Sequence, residues 1–161
     1  MNPLTPRADG MTSARLAIYH YLETNDAGWR VKNVAAPKIL IVDDERELVE
    51  SCARFLGFVS CECLRAFDKA EAIQKIDSHR PNLVVTDLHL PDGSGFEVVR
   101  HARSRIPDSL IIMITAYHSP DTQQAAADAG IVAYLPKPFA MAELGKAVET
   151  TLGAICLPPR I

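Results

Sequence analysis

Four short stretches hold the residues able to do chemistry, and each follows an apolar run. Asp43-Asp44-Glu45 follows Ile39-Leu40-Ile41-Val42, and Asp87 follows Leu83-Val84-Val85-Thr86. Thr115-Ala116 follows the run at 110–114, and Lys137-Pro138 follows the run at 132–135. If those runs are strands of one sheet, three aspartates meet at its mouth. Like charges ~4 Å apart repel by roughly 4 kcal/mol at an effective dielectric near 20, so the cluster calls for a positive partner. Mg²⁺ suits it, because that ion takes one or two carboxylates, keeps several waters and bridges to phosphate oxygens. Lys137 adds a mobile point charge of the kind that binds phosphate, and Thr115 adds a hydroxyl donor. A metal-bound carboxylate can attack phosphorus and form an aspartyl-phosphate. The protein then has only to position groups and neutralise charge on the transferring oxygens. Each residue alone also has a plain structural use: the aspartates as turn formers or caps, Thr115 as a cap, Lys137 as a solvated charge. Their coincidence at four strand ends is what argues for a site.

The elements that must position these residues alternate from Lys38 onward. Continuous apolar runs at 39–42, 83–86 and 110–114 mark strands buried on both faces. Val59, Cys61 and Cys63 alternate with Ser60 and Glu62, which marks an edge strand. A first helix is expected from about Glu45, with Leu48, Cys52 and Phe55 on one side and Gly57 closing it in a left-handed turn. Asp68 and Glu71 form a capping pair for the second, which buries Ala72, Ile73 and Ile76 and stops before Pro81. Pro91-Asp92-Gly93 is turn chemistry, and Phe96, Val99 and Ala102 line the third helix. Ser119 and Pro120 open the fourth, whose alanine-rich body at 123–129 buries little. Met141, Leu144, Val148, Leu152 and Ile155 stripe the last. Five strands alternating with five helices imply an α/β, flavodoxin-like (βα)5 three-layer sandwich with a parallel sheet of order 2-1-3-4-5. Ligands of such sheets bind outside the carboxyl ends of the strands, near the switch in strand order.

With 161 residues, 48% hydrophobic and 23% charged, the chain fits one globular domain and a modest extension. A net charge of −3 without a basic patch argues against direct nucleic-acid binding. No apolar run approaches the ~20 residues of a membrane span, and the start lacks a secretory signal, so the expected location is cytoplasmic with no membrane partner. Residues 1–36 stand apart as an extension: a Pro-rich start, then a short helix capped by Ser13 and running through Leu16, Tyr19 and Leu22. With Ile18, those residues are expected either to be inert or to dock on the domain or a second copy. Residues 37–153 form the domain and 154–161 a tail that the Pro158-Pro159 pair cannot continue as helix. Cys52, Cys61, Cys63 and Cys156 fit neither a paired zinc site nor a disulfide framework and read as core residues.

The stretches Ile39-Leu40-Ile41-Val42-Asp43-Asp44-Glu45, Asp87-Leu88-His89-Leu90-Pro91-Asp92-Gly93, Ile114-Thr115-Ala116 and Leu135-Pro136-Lys137-Pro138-Phe139 resemble the receiver domain of two-component response regulators. The resemblance runs from about Lys38 to Gly153. It implies that Asp87 is the phosphoacceptor and that Asp43, Asp44, Asp87 and the backbone carbonyl of His89 hold Mg²⁺. It further implies that Thr115 and Lys137 contact the phosphoryl group, that Thr115 and Tyr134 form the switch, and that the Lys137–Pro138 peptide is cis. His89 and Tyr117, two positions beyond Asp87 and Thr115, fall where the family tunes hydrolysis of the aspartyl-phosphate. Lys69 replaces a glycine common in relatives, a departure expected to touch only local capping. The implied function is a switch that takes a phosphoryl group from a histidine kinase or histidine phosphotransfer protein. It catalyses only its own phosphorylation and dephosphorylation, and signals to a protein partner, or as a homodimer, through the face of the fourth helix, fifth strand and fifth helix.

A single-domain receiver is the first reading, and the receiver portion of a longer DNA-binding regulator or hybrid kinase is the alternative. A haloacid-dehalogenase-type phosphatase would want a second acid where His89 stands. A nucleotide- or flavin-binding domain would want a Gly-rich loop where Asp43-Asp44-Glu45 stands.

Overall fold

Runs of Ile, Leu and Val pair side by side in a computed structural model, which describes residues 24–25, 28–29, 36–58 and 61–156. The strands are β1 (Lys38–Val42), β2 (Glu62–Ala66), β3 (Leu83–Asp87), β4 (Leu110–Thr115) and β5 (Ala133–Pro136). They form one sheet in the order β2-β1-β3-β4-β5 with every pairing parallel, as expected. Between them run α1 (Arg46–Gly57), α2 (Lys69–His79), α3 (Gly95–Arg105) and α4 (Pro120–Asp128), with α5 (Met141–Cys156) last.

Successive strand residues point to opposite faces, and this sheet is covered on both. Ile39, Ile41, Val85, Ile112 and Ile114 pack with Val49, Cys52, Leu56, Leu144 and Val148 of α1 and α5. Leu40, Val42, Val84, Ile111 and Met113 pack with Ala72, Ile76, Val98, Val99 and Ala102 of α2 and α3. Two-sided burial is why β1, β3 and β4 read as unbroken apolar runs. Each fully buried aliphatic side chain contributes about 1.5–3 kcal/mol, so the middle of the sheet is its most strongly held part. By contrast α4 buries only Ala126. Its end is tethered instead by Arg103 of α3, whose guanidinium donates to the carbonyls of Gly130 (2.6 Å) and Ser109 (2.8 Å).

Several local expectations change. The buried stripe of α1 is Val49, Cys52, Ala53 and Leu56, with Leu48 and Phe55 at its margins. Gly57 is not left-handed. α1 ends through Phe58 in right-handed geometry, its N–H donating to the Phe55 carbonyl, and no left-handed residue is needed. The left-handed cap belongs to α2 instead, at Arg80 (φ 48°), whose N–H donates to the Ile76 carbonyl.

Asp68 caps α2 by accepting from the Glu71 N–H at 2.7 Å, but the Glu71 carboxylate reaches past Asp68 to the Phe67 N–H (3.0 Å). Ile73 is only partly buried. β2 begins at Glu62, after Cys61, and β5 at Ala133, leaving Val132 half exposed. Burial pushes the Cys52 thiol up to about 11 and raises that of Cys63, which suits core residues better than reactive ones. The expected helix after Ser13, Val59 and Ser60 of the expected edge strand, and residues 157–161 of the expected 154–161 tail lie outside the described residues, while α5 runs on to Cys156. Within the extension Thr24–Asn25 pairs antiparallel with Gly28–Trp29.

One glycine is dictated by a close approach. The Gly95 N–H donates to the Leu88 carbonyl at 2.7 Å, and a Cβ on Gly95 would lie 2.1 Å from the backbone oxygen of Asp87. Only a residue without a side chain lets α3 start against the end of β3. Gly95→Ala should therefore destabilise the fold by about 1–3 kcal/mol through overpacking against backbone, read as a lower urea midpoint. An unchanged midpoint would contradict this packing.

Candidate functional site

Parallel pairing of β1 with β3 aligns Val42 with Thr86, so the residues that follow, Asp43 and Asp87, emerge side by side. Asp43 is fully buried, and its N–H donates to the Ala66 carbonyl of β2 (3.1 Å). Its Oδ1 accepts from the Glu45 N–H at 2.9 Å and its Oδ2 from Lys137 Nζ at 2.6 Å. Asp87 is buried as well; its Oδ2 accepts from the same Nζ at 3.1 Å and its Oδ1 from the His89 N–H at 3.4 Å. Lys137 reaches both because β5 pairs with β4: its N–H donates to the Thr115 carbonyl (2.8 Å), and the Lys137–Pro138 peptide is cis as expected. Glu45 lies 3.9 Å from Nζ. Asp44 is exposed, yet carboxylate oxygens of Asp43, Asp44 and Asp87 all lie within 4.8 Å of one another.

Burial raises the Asp43 pKa, with the neighbouring Asp87 charge adding to the rise, while bonds from Lys137 and the Glu45 N–H work in the other direction. For Lys137, burial alone would lower the pKa, but the hydrogen bonds and charges of Asp43 and Asp87 outweigh it and raise the value. The lysine stays an ammonium, and one ammonium faces four carboxylates. That deficit of positive charge, together with hard oxygen donors of which two, Asp44 and Glu45, are open to solvent, fits a Mg²⁺ ion.

The remaining expected residues sit around this centre. Thr115 is buried at the end of β4, but its hydroxyl is engaged by its own loop, accepting from the Tyr117 N–H at 3.0 Å. The Tyr134 hydroxyl donates to the Tyr117 carbonyl at 3.3 Å. Tyr117 itself is 69% exposed and stands edge-on to the His89 ring, with centroids 4.8 Å apart. The two positions read separately in the sequence thus form one pair of rings at the rim.

Nothing in the sequence singles out Gly95 or Glu97, Asp92 reads there only as a turn residue, and Lys69 does more than local capping. Its Nζ pairs with Glu97 Oε1 (3.2 Å), and its N–H donates to Asp92 (2.7 Å). Partners 23 and 28 residues away leave no periodic signal.

Comparison with known proteins agrees with this geometry. A family model described as the response regulator receiver domain matches residues 39–149. Response regulator MprA of Mycobacterium ulcerans (strain Agy99) is 43% identical over 107 residues, covering 66% of this chain and 46% of that protein. The matched segment is thus about half the length of that relative. A CheY-like response regulator receiver domain protein from Methanospirillum hungatei JF-1 superposes with a TM-score of 0.71 and 31% identity, covering 74% of this chain and 95% of that one. The non-phosphorylated HemR receiver domain from Leptospira biflexa gives 0.68 and 26%, covering 78% and 98%.

The raised pKa of Asp43 has a consequence for stability. A folded-state value above the ordinary 3.8 means that the fold favours the protonated acid. That stabilisation is complete below pH 3.8 and is lost as pH rises through the raised value. Asp43→Asn keeps its one oxygen as acceptor for the Glu45 N–H and drops the buried charge, leaving Lys137 to pair with Asp87. In chelator at pH 7 it should melt a few degrees above the native chain, with the gap closing on acidification. A lower melting temperature at neutral pH would contradict this account.

Proposed function

Because the chain belongs to the response-regulator receiver family, we propose that Asp87 is its phosphoacceptor and that Asp43, Asp44, Asp87 and the His89 backbone carbonyl hold Mg²⁺. The observation that carries the proposal is the single Lys137 Nζ within hydrogen-bonding distance of both Asp43 and Asp87. When bound, Mg²⁺ would neutralise the acids and polarise the phosphoryl oxygens. An Asp87 carboxylate oxygen forms the new bond to phosphorus as the bond to the donor breaks. The donor is a phosphohistidine nitrogen of a kinase or phosphotransfer protein, or the acyl oxygen of acetyl phosphate. The leaving group departs with the electron pair and takes any proton from solvent. Lys137 exchanges its bond to Asp87 for one to a phosphoryl oxygen, charge against charge.

The same loop offers a route to output. The Thr115 hydroxyl would give up the Tyr117 N–H for a phosphoryl oxygen, loosening the segment whose carbonyl Tyr134 also holds. Tyr134 can then rotate, and α4, buried only at Ala126, is free to shift. The face of α4, β5 and α5 is the proposed contact for a downstream protein or a second copy. His89 and Tyr117 are the proposed tuning residues. Residues 37–153 are taken as the signalling domain, with 1–36 and 154–161 outside it, acting in the cytoplasm. Among the described residues no helix is long and apolar enough to cross a membrane. The protein turns over no separate substrate in this scheme. A second reading, the receiver portion of a longer regulator, is favoured by the MprA match, which spans 46% of that relative.

Incubation with acetyl phosphate and Mg²⁺ should add the mass of one phosphoryl group to the native chain and none to Asp87→Asn. A modified Asp87→Asn protein, or an unmodified native one, would overturn the proposal. The exposed Tyr117 ring beside His89 is expected to screen the phosphoryl group from water. Tyr117→Ala should therefore lose label several-fold faster in a time course of intact mass, and an equal or slower loss would remove the screening role.

A further inference from the structure

We infer that Asp92 is a positioning residue for the proposed metal site: its carboxylate clasps the start of α2 and so fixes the hairpin that presents the His89 carbonyl. The inference rests on the function proposed above. Asp92 lies in the turn of a minimal hairpin in which His89 pairs with Ser94 and Leu90 with Gly93. Its Oδ1 accepts from the Lys69 N–H at 2.7 Å and its Oδ2 from the Ala70 N–H at 3.0 Å. Since Asp68 takes the Glu71 N–H, the first three amides of α2 are all satisfied by carboxylates, two of them from across the chain. Although burial works against it, those amide bonds and the Lys69 charge hold the Asp92 carboxyl below the usual range. It is an anion at a helix N-terminus, where the dipole favours one.

A second strap runs alongside. Lys69 Nζ pairs with Glu97 Oε1 (3.2 Å), and Glu97 Oε2 accepts from the Ser94 N–H (2.9 Å) within the capping box of α3. Gly93 lies directly beneath: a Cβ there would be 2.5 Å from Glu97 Oε2 and 2.8 Å from Lys69 Nζ. The inner end of the segment is anchored to the sheet by the Leu88 N–H on the Ile114 carbonyl (3.2 Å) and the Gly95 N–H on the Leu88 carbonyl (2.7 Å). Asp92 anchors its outer end. Without it the hairpin can pivot about Leu88 and Gly95, and His89 moves with it. Asp92 touches none of the three site aspartates, so its effect passes through the backbone.

Calorimetric titration with MgCl₂ alone tests this on the native chain, Asp92→Ala, Asp92→Asn and Asp77→Ala, each checked for native circular dichroism. Asp92→Ala should bind Mg²⁺ on the order of 10-fold more weakly, the scale of loss when a support behind the ligands is removed. Asp92→Asn, with one acceptor left, should fall between. Asp77 of α2 accepts from Arg105 Nε (2.8 Å) and contacts His101 Nε2 (3.0 Å) of α3. Asp77→Ala thus loosens the same two helices away from the hairpin and should keep native affinity. Native affinity in Asp92→Ala, or equal weakening in Asp77→Ala, overturns the positioning role alone. A native chain that binds no Mg²⁺ overturns the metal reading and this inference with it.

Discussion

One ammonium group shared by two buried carboxylates is the constraint around which this molecule is arranged. Lys137 Nζ lies 2.6 Å from Asp43 and 3.1 Å from Asp87, and without it two acids withdrawn from water would stand side by side with no counter-charge. Removing that ammonium is expensive, because both carboxylates stay desolvated without a partner. The geometry is only reachable if β5 sits beside β4, β4 beside β3 and β3 beside β1. Strand order is therefore an electrostatic requirement as much as a topological one.

Stability and mobility are distributed to match. The strands that carry the acids are sealed on both faces by aliphatic side chains, so Asp43 and Asp87 project from the stiffest part of the fold. The elements beyond Thr115 are held more lightly. α4 has one buried residue and a tether from Arg103, and the Tyr117 segment is joined to Thr115 by two bonds through a single hydroxyl and to Tyr134 by one. A rigid charge cluster beside a loosely held helix suits a switch, because a local change in charge can shift the weak element without unfolding the strong one.

The loop after Asp87 belongs with the rigid half. Gly95 permits α3 to start against the Asp87 carbonyl, and Asp92, Lys69 and Glu97 bind α2, the hairpin and α3 into one block. None of these four touches Asp43 or Asp44. They govern where the backbone around Asp87 can lie, which is why a charge at position 69 has consequences beyond its own helix.

The strands, the sheet order, the acids at the strand ends and Lys137 were all legible in the sequence. Their signals are local: two-sided burial writes an unbroken apolar run, a helix face writes a period near 3.6, and a strand end is marked by the polar residue that follows. Ser119 and Pro120 at the start of α4 belong to the same class, since a cap and its helix are adjacent in the chain. Only the tertiary structure decided that Arg80 rather than Gly57 is left-handed, that His89 and Tyr117 meet, that Thr115 turns toward its own loop, and that Asp92 caps a helix 23 residues upstream. Those outcomes depend on which distant groups arrive together once the core has closed, and a hydrogen bond between such groups leaves no periodicity in either segment.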